Sequence, residues 1–288
     1  MKWHKPQSFS IRQGDSLRKV DGPLIMGIIN MTLDSFYAGS RYQDRDSALS
    51  QVETMIEHGA DIIDLGAMSS RPGAEIVPSD KEWIRLKEII PEMRSRWPHI
   101  IISVDTLHAE TAAKCLSAGA DWINDISGGA HDPNMIPLVA EKQAPYICMH
   151  MRGIPKTMKN LSDYHDVVSS VYKYFAKQVR HLRDRGLQDI IIDPGFGFAK
   201  NIDQNFQMLR CLDTFRSLNC PLLVGLSRKS MIYKTLGTDA DHALNGTTVL
   251  HTVALLQGAQ ILRVHDLKEA REVRTLIQKL KISTLESD

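Results

Sequence analysis

Leu24-Ile25-Met26-Gly27-Ile28-Ile29 runs without a polar break into Asn30-Met31-Thr32. An apolar run of this length suits a buried strand better than a helix. The residues just after it separate two α/β architectures. A doubly wound nucleotide-binding sheet carries a glycine-rich phosphate loop after its first strand, and Asn30-Met31-Thr32 contains no glycine at all. Further along, runs of the same kind stand at 62–65, 100–104, 122–123, 146–149, 190–192, 222–224 and 261–264. With the first, that makes eight strands, and eight strand-and-helix units in about 265 residues match the usual size of a (β/α)8 barrel.

Amphipathic stretches separate the runs. Ala48, Val52, Met55 and Ile56 share one helix face, as do Trp83, Leu86, Ile90 and Met93. Ser79-Asp80-Lys81-Glu82 reads as a capping box opening the second of these. Val168, Val171, Phe175, Val179 and Leu182 form a third stripe, with Phe206, Leu209 and Leu212 in a fourth. Ala270, Val273, Ile277 and Leu280 form the last. Gly59, Gly119, Gly186 and Gly258 each stand just before a strand, where a helix C-terminus takes the left-handed conformation. Strands apolar on both faces, alternating with helices, form a parallel sheet covered by helices. The expected fold is a TIM barrel, a single domain at 23–282 with a short N-terminal appendage at 1–22 and a tail at 283–288.

The 288 residues carry 35 Lys plus Arg against 34 Asp plus Glu, a formal net charge of +1. No basic stripe marks a nucleic-acid binder. No apolar run approaches the length needed to cross a bilayer, and the polar start at Met1 does not resemble a signal peptide. Cys115, Cys148, Cys211 and Cys220 show neither C-x-x-C pairing nor zinc-finger spacing, so reduced thiols are expected. These features predict a soluble, cytoplasmic protein without a nucleic-acid or membrane partner.

In a barrel of this type the C-terminal ends of the strands form the site. Those positions hold Asn30, Asp64, Asp105, Asn124-Asp125, His150, Asp193, Ser227-Arg228-Lys229 and Arg263-Val264-His265. One aspartate after a strand is usually a helix cap or a turn residue; polar groups on nearly every strand predict a site. Asp105, Asn124 and Asp193 are rich in acceptors and suit a planar heterocycle presenting N–H donors. Lys229, Arg263 and His265 are donors suited to a carbonyl and to phosphate oxygens, late in the barrel where phosphate sites commonly lie.

The chain resembles the dihydropteroate synthases. The likeness runs from about 23 to 280 and rests on motifs in order. They are Asn30-Met31-Thr32-Leu33-Asp34-Ser35-Phe36, Ser69-Ser70-Arg71-Pro72-Gly73-Ala74, Ser103-Val104-Asp105-Thr106, Ile123-Asn124-Asp125-Ile126-Ser127 and Met149-His150-Met151. Asp193-Pro194-Gly195-Phe196-Gly197-Phe198, Ser227-Arg228-Lys229-Ser230 and Arg263-Val264-His265-Asp266 come after them.

The resemblance implies condensation of (7,8-dihydropterin-6-yl)methyl diphosphate with 4-aminobenzoate, giving 7,8-dihydropteroate and diphosphate in folate biosynthesis. It implies Asp105, Asp193, Lys229 and Arg263 as catalytic residues. Ser70, Asp105, Asn124, Asp193, Lys229, Arg263 and His265 would bind the pterin diphosphate, with Mg²⁺ on Asn30. Phe36, Arg71, Pro72, Phe198 and Ser230 would shape the 4-aminobenzoate site, which Ser70 also borders and which sulfonamides would occupy as inhibitors. A homodimer packed through barrel helices is implied too. Three residues depart from the family pattern: Leu33 stands for Pro, Ser70 for Thr, and Ala199 for Gly before Lys200.

Other residues carry two readings. His150 is a core histidine or a ligand contact. Asp34 caps a turn or pairs with Arg71. Asp64 and Asp125 support neighbours in the rim through hydrogen bonds, and Asn245-Gly246-Thr247-Thr248 has a packing role. Two rival functions share the barrel: a pterin-dependent methyltransferase, which has no use for the Ser70 and Ser230 motifs, and a catalytically silent pterin-binding protein. Diphosphate release separates the synthase from the silent binder.

Overall fold

Every apolar run expected from the sequence is a strand in the computed structural model. The structure describes residues 8–14, 16–31, 41–68, 74–153, 156–158 and 161–282, the side chains of 41–44 and 281–282 excepted. A hairpin comes first: β1 (Phe9–Gln13) pairs antiparallel with β2 (Ser16–Val20). The barrel strands are β3 (Leu24–Asn30), β4 (Ile62–Gly66), β5 (Ile101–Asp105), β6 (Trp122–Asp125), β7 (Tyr146–Met149), β8 (Ile190–Asp193), β9 (Leu223–Val224) and β10 (Ile261–Val264). They form a parallel eight-stranded sheet, ordered β8-β7-β6-β5-β4-β3-β10-β9. A parallel bridge between Ile192 and Leu222 joins its two ends and closes the barrel.

Helices α1 (Arg41–Glu57), α2 (Ser79–Leu86), α3 (Ile89–Arg96), α4 (Ala109–Ser117), α5 (Met135–Lys142) and α6 (Val167–Asp184) cover the first part of the barrel. The rest is covered by α7 (Ile202–Arg210), a 3-10 turn at Leu212–Leu218, α8 (Ser230–Tyr233), α9 (Leu244–Leu256) and α10 (Leu267–Ile282). Gly59, Gly119, Gly186 and Gly258 all have positive φ, as expected of helix-ending glycines.

The helical reading needs three corrections. The stretch carrying Trp83, Leu86, Ile90 and Met93 is two helices. Pro91 has no N–H for the Lys87 carbonyl four residues back, and its ring crowds that carbonyl, so the helix breaks. Nor does the expected capping box form. Pro78 takes the N-cap position, Ser79 lies inside α2 and donates to Glu110, and buried Glu82 turns inward to accept from Thr106 Oγ1 at 2.7 Å. Leu280, placed on the inner stripe of the last helix, is 45% exposed.

Side chains alternate along each strand, so every second residue points into the barrel. Met26, Ile62, Ile101, Trp122, Ile147, Ile191, Leu223 and Ile261 pack together in its lower half. Ile11 and Val20 of the hairpin close this layer from below, and Trp122 Nε1 donates to the Arg12 carbonyl at 3.2 Å. Two positions further along the same strands the interior turns polar: Asp64, Ser103, Asn124, Asp193 and Arg263. Strands apolar on both faces therefore describe only the lower half. The outward faces carry the main core against the helices.

Candidate active site

Asp64 is the hub of the polar layer and is fully buried. Its Oδ1 accepts from Ser103 Oγ at 2.6 Å, and its Oδ2 from Asn124 Nδ2 at 3.0 Å and Arg263 Nε at 2.7 Å. Arg263 Nη2 donates to Asp105 Oδ2 at 3.0 Å. Four strands thus place these five side chains in one bonded cluster. The supporting role expected of Asp64 is what the geometry shows. Burial raises the Asp105 carboxyl to about 7, against the pull of the Arg263 cation.

Opposite this cluster stands Asp193 at the end of β8, with Oδ1 accepting from the Gly195 amide at 2.8 Å. Burial raises its carboxyl too, and the Lys229 ammonium opposes the shift. Lys229 donates to the Phe196 carbonyl and lies 5.0 Å from the centre of the Phe198 ring. Desolvation lowers Lys229 to about 8, opposed by Asp193. Gly197 keeps this approach open, since a Cβ there would sit 3.3 Å from Lys229 Cδ. Lys229 precedes α8, so Ser230 opens that helix.

A second ion pair ties the last two loops together. Arg228 takes φ +52, and its Nε and Nη2 bind both oxygens of Asp266, the shortest contact being 2.8 Å. Its Nη1 caps the carbonyls of Ala240 and Asp241. Ser227 Oγ donates to Asp266 and accepts from the His265 amide, both at 3.3 Å. Lys229 and His265 are held by this lock between the β9 and β10 loops. The packing role expected at 245–248 is concrete at Thr247, whose Oγ1 accepts from the Arg228 amide at 3.1 Å.

Asn30 ends β3 at the mouth and is exposed. Its Oδ1 lies over Gly66, only 3.2 Å from where a Cβ would stand. Among the described residues no three His, Cys, Asp or Glu side chains group as a metal cage. Mg²⁺ commonly keeps several waters and takes one or two protein oxygens beside substrate phosphates. One amide oxygen at the mouth fits that mode.

Asp125 faces away from the mouth. It accepts from Tyr146 Oη at 2.8 Å, from the Ser127 amide and hydroxyl, and from the Gly129 amide, fastening the turn after β6. His150 is a core histidine, 3% exposed and edge-on to Tyr174 at 4.9 Å between ring centres. Phe36, Ser70, Arg71 and Pro72 lie outside the described residues, as do Leu33 and Asp34. Two contributors escape the sequence reading. Ser103 sits two positions before Asp105, a spacing that puts both on the inner face of β5. Lys200 enters that reading only through the alanine before it, yet its ammonium is buried.

Residues 26–265 match the family model described as pterin binding enzyme. The chain is 43% identical over 252 residues to dihydropteroate synthase of Synechocystis sp., covering 86% of this chain and 87% of that protein. Among solved structures, Yersinia pestis dihydropteroate synthase in complex with a sulfonamide drug superposes with a TM-score of 0.88 at 32% identity, covering 96% of this chain and 100% of that one. Burkholderia cenocepacia dihydropteroate synthase complexed with 7,8-dihydropteroate gives 0.85 at 33% identity, covering 96% and 98%.

Proposed function

The chain belongs to the pterin-binding enzyme family, and we propose how its barrel mouth carries out that family's chemistry. It is a transferase of folate synthesis, a dihydropteroate synthase, joining (7,8-dihydropterin-6-yl)methyl diphosphate to 4-aminobenzoate. The bond from the pterin methylene to diphosphate oxygen breaks, and the oxygen keeps the electron pair. The arylamine nitrogen bonds to the methylene and loses a proton. No protein nucleophile is needed.

The acid half of the mouth grips the ring. Asn124 commits Nδ2 to Asp64, which leaves Oδ1 to accept from a ring N–H. Asp193 commits Oδ1 to Gly195, which leaves Oδ2 for the ring's amino edge. Positive charge develops on the methylene and spreads into the ring as the C–O bond breaks, and the fixed carboxylates of Asp105 and Asp193 stabilise it. Lys229 supplies a donor for the ring carbonyl. Arg263 and His265 serve the departing diphosphate, a role that the family resemblance extends to Ser70. Asn30 would hold Mg²⁺, which supplies neutralising charge to the diphosphate when bound. Phe36, Arg71, Pro72, Phe198 and Ser230 shape the aminobenzoate site, which sulfonamides share.

One observation carries this reading: the single Arg263 guanidinium is bonded to Asp64 and Asp105 and also faces Asp193, so the acid and basic halves meet at one point. Two further features belong to the same reading. The four unpaired cysteines suit a reducing, cytoplasmic setting. Val249 on the outer helix α9 is 53% exposed, which fits pairing of two copies through barrel helices. Isothermal titration tests the function. Heat from 4-aminobenzoate should appear only after diphosphate and Mg²⁺ are present, because the first substrate completes the second one's pocket. Equal aminobenzoate binding with and without them would count against it.

A further inference from the structure

Lys200 is assigned no contact with either substrate, yet it is 9% exposed and its ammonium meets three acceptors. They are the Gly195 carbonyl at 3.0 Å, the Phe198 carbonyl at 3.0 Å and His150 Nδ1 at 3.1 Å. An ammonium offers three donors and no acceptor. This set satisfies it and places the imidazole proton on Nε2. Desolvation lowers Lys200 to about 7, and burial with a neighbouring cation lowers His150 to about 3. None of the three partners is a carboxylate. Burying a charge in this way is costly, so its place in the fold calls for a role.

The segment it grips is the turn that carries the acid half of the mouth. At one end, the His150 amide donates to the Asp193 carbonyl at 2.9 Å, and Gly195 packs so close that a Cβ would lie 2.2 Å from the His150 carbonyl oxygen. In the middle, Phe196 offers its carbonyl to Lys229. At the far end, the Phe198 ring lies beneath Lys229. Asn205 Oδ1 accepts from the Gly197 amide at 2.7 Å and steadies the turn from α7. Ala199 takes φ +48, a left-handed conformation that costs a residue with a Cβ about 1–2 kcal/mol. Such strain persists where the surroundings over-determine it, and the Lys200 bonds to the Gly195 and Phe198 carbonyls just before Ala199 do so.

Charged groups reach this region from several elements. Asp193 faces Lys229 from the loop after β9, Arg263 from β10 and Lys200 itself. Lys200 faces Asp193, Lys229, Arg152 from the loop after β7, and His150. Lys200 is therefore a second cation near the Asp193 carboxylate, within reach of Lys229 as well.

We propose that Lys200 is a positioning residue for the condensation. Bound to the Gly195 and Phe198 carbonyls and to His150, it holds the turn that presents the Asp193 carboxylate and the Phe196 anchor of Lys229 to the pterin ring. Its charge also favours the ionised form of Asp193. This deepens the reading of function above and rests on the ring-pocket role given there to Asp193.

The test compares the full chain with Lys200→Met and His150→Ala, recording melting temperature, kcat and KM for each substrate, and the pH profile of kcat/KM for the pterin diphosphate. Lys200→Met should lower that kcat/KM by about 100-fold, the scale of a misplaced catalytic group, with a smaller change in KM for aminobenzoate. Its acid limb should move to higher pH, since removing a nearby cation raises the Asp193 carboxyl. His150→Ala should move both in the same direction by less. If Lys200→Met does not fold, His150→Ala decides by the same readings. A lowered melting temperature with unmoved kcat/KM and acid limb would reduce Lys200 to a packing residue and overturn the proposal. A wild-type chain that releases no diphosphate from the two substrates would overturn the functional reading as well.

Discussion

Arg263 donates to Asp105 across the barrel mouth, Nη2 to Oδ2 at 3.0 Å, from a position 158 residues further along the chain. The same guanidinium binds Asp64 through Nε at 2.7 Å. Guanidinium stays charged at any working pH, so both acids face a permanent cation before substrate arrives. Strand order makes this possible, because β10 pairs with β3, β3 with β4 and β4 with β5. Charge for the ring and charge for the leaving group are thereby set at one distance from each other.

Asp64→Asn should weaken the whole cluster. The fully buried carboxylate accepts from Ser103, Asn124 and Arg263, and a hydrogen bond to a charged group is worth about 1.5–3 kcal/mol. Urea denaturation should show about 2 kcal/mol less stability, accompanied by a loss in kcat/KM for the pterin substrate. An unchanged midpoint with unchanged kinetics would mean that the hub is dispensable.

The pH dependence of kcat/KM comes from the shifted groups. Burial raises Asp105 to about 7 and Asp193 in the same direction, so both carboxyls shape the acid limb, and desolvation lowers Lys229 to about 8. The working form has the carboxylate ionised and the ammonium protonated. Activity should therefore climb as pH rises through about 7 and fall as it passes about 8. In Lys229→Arg the alkaline limb should flatten, because guanidinium keeps its proton. A profile flat across this window in the wild type would contradict the assignment.

Ala199→Gly should raise stability. Ala199 stands at φ +48, where glycine bears no Cβ penalty, so the gain should be about 1 kcal/mol by chemical denaturation. Arg228 also has positive φ, at +52, but Arg228→Gly should destabilise, since it removes the Asp266 ion pair and two carbonyl caps. Equal effects at the two positions would show that backbone strain alone governs both.

Ile11→Ala tests the hairpin plug. Ile11 is 1% exposed and packs on the lower barrel layer with Trp122 and Met26. Truncation there should cost about 2–5 kcal/mol. The site lies at the other end of the barrel, so kcat below the melting transition should not change. A change in kcat without a stability loss would mean that the two ends of the barrel are coupled.

The barrel was legible because strands such as 62–65 and 190–192 are unbroken apolar runs, and such runs report burial directly. The polar inner layer was legible only as residue types at strand ends. Asp64 and Asp125 look alike in sequence, yet alternation turns Asp64 into the barrel and Asp125 out to Tyr146. Ser79 met the capping pattern, but Pro78 already fixes φ at −59 at the N-cap and Glu82 finds a better partner in Thr106. Lys200 is hidden at that level because a lysine after a glycine-rich turn is ordinarily solvated; only tertiary packing shows its three acceptors.

Diphosphate release by Asp193→Asn, with both substrates saturating, is the sharpest test of the charge pairing at the mouth. Asparagine keeps the shape and removes the charge that faces the developing cation. The melting temperature should stay near the wild-type value, while release should fall by about 10²–10³-fold, the cost of losing one preorganised electrostatic contact. A folded Asp193→Asn chain releasing diphosphate at the wild-type rate would contradict this mechanism.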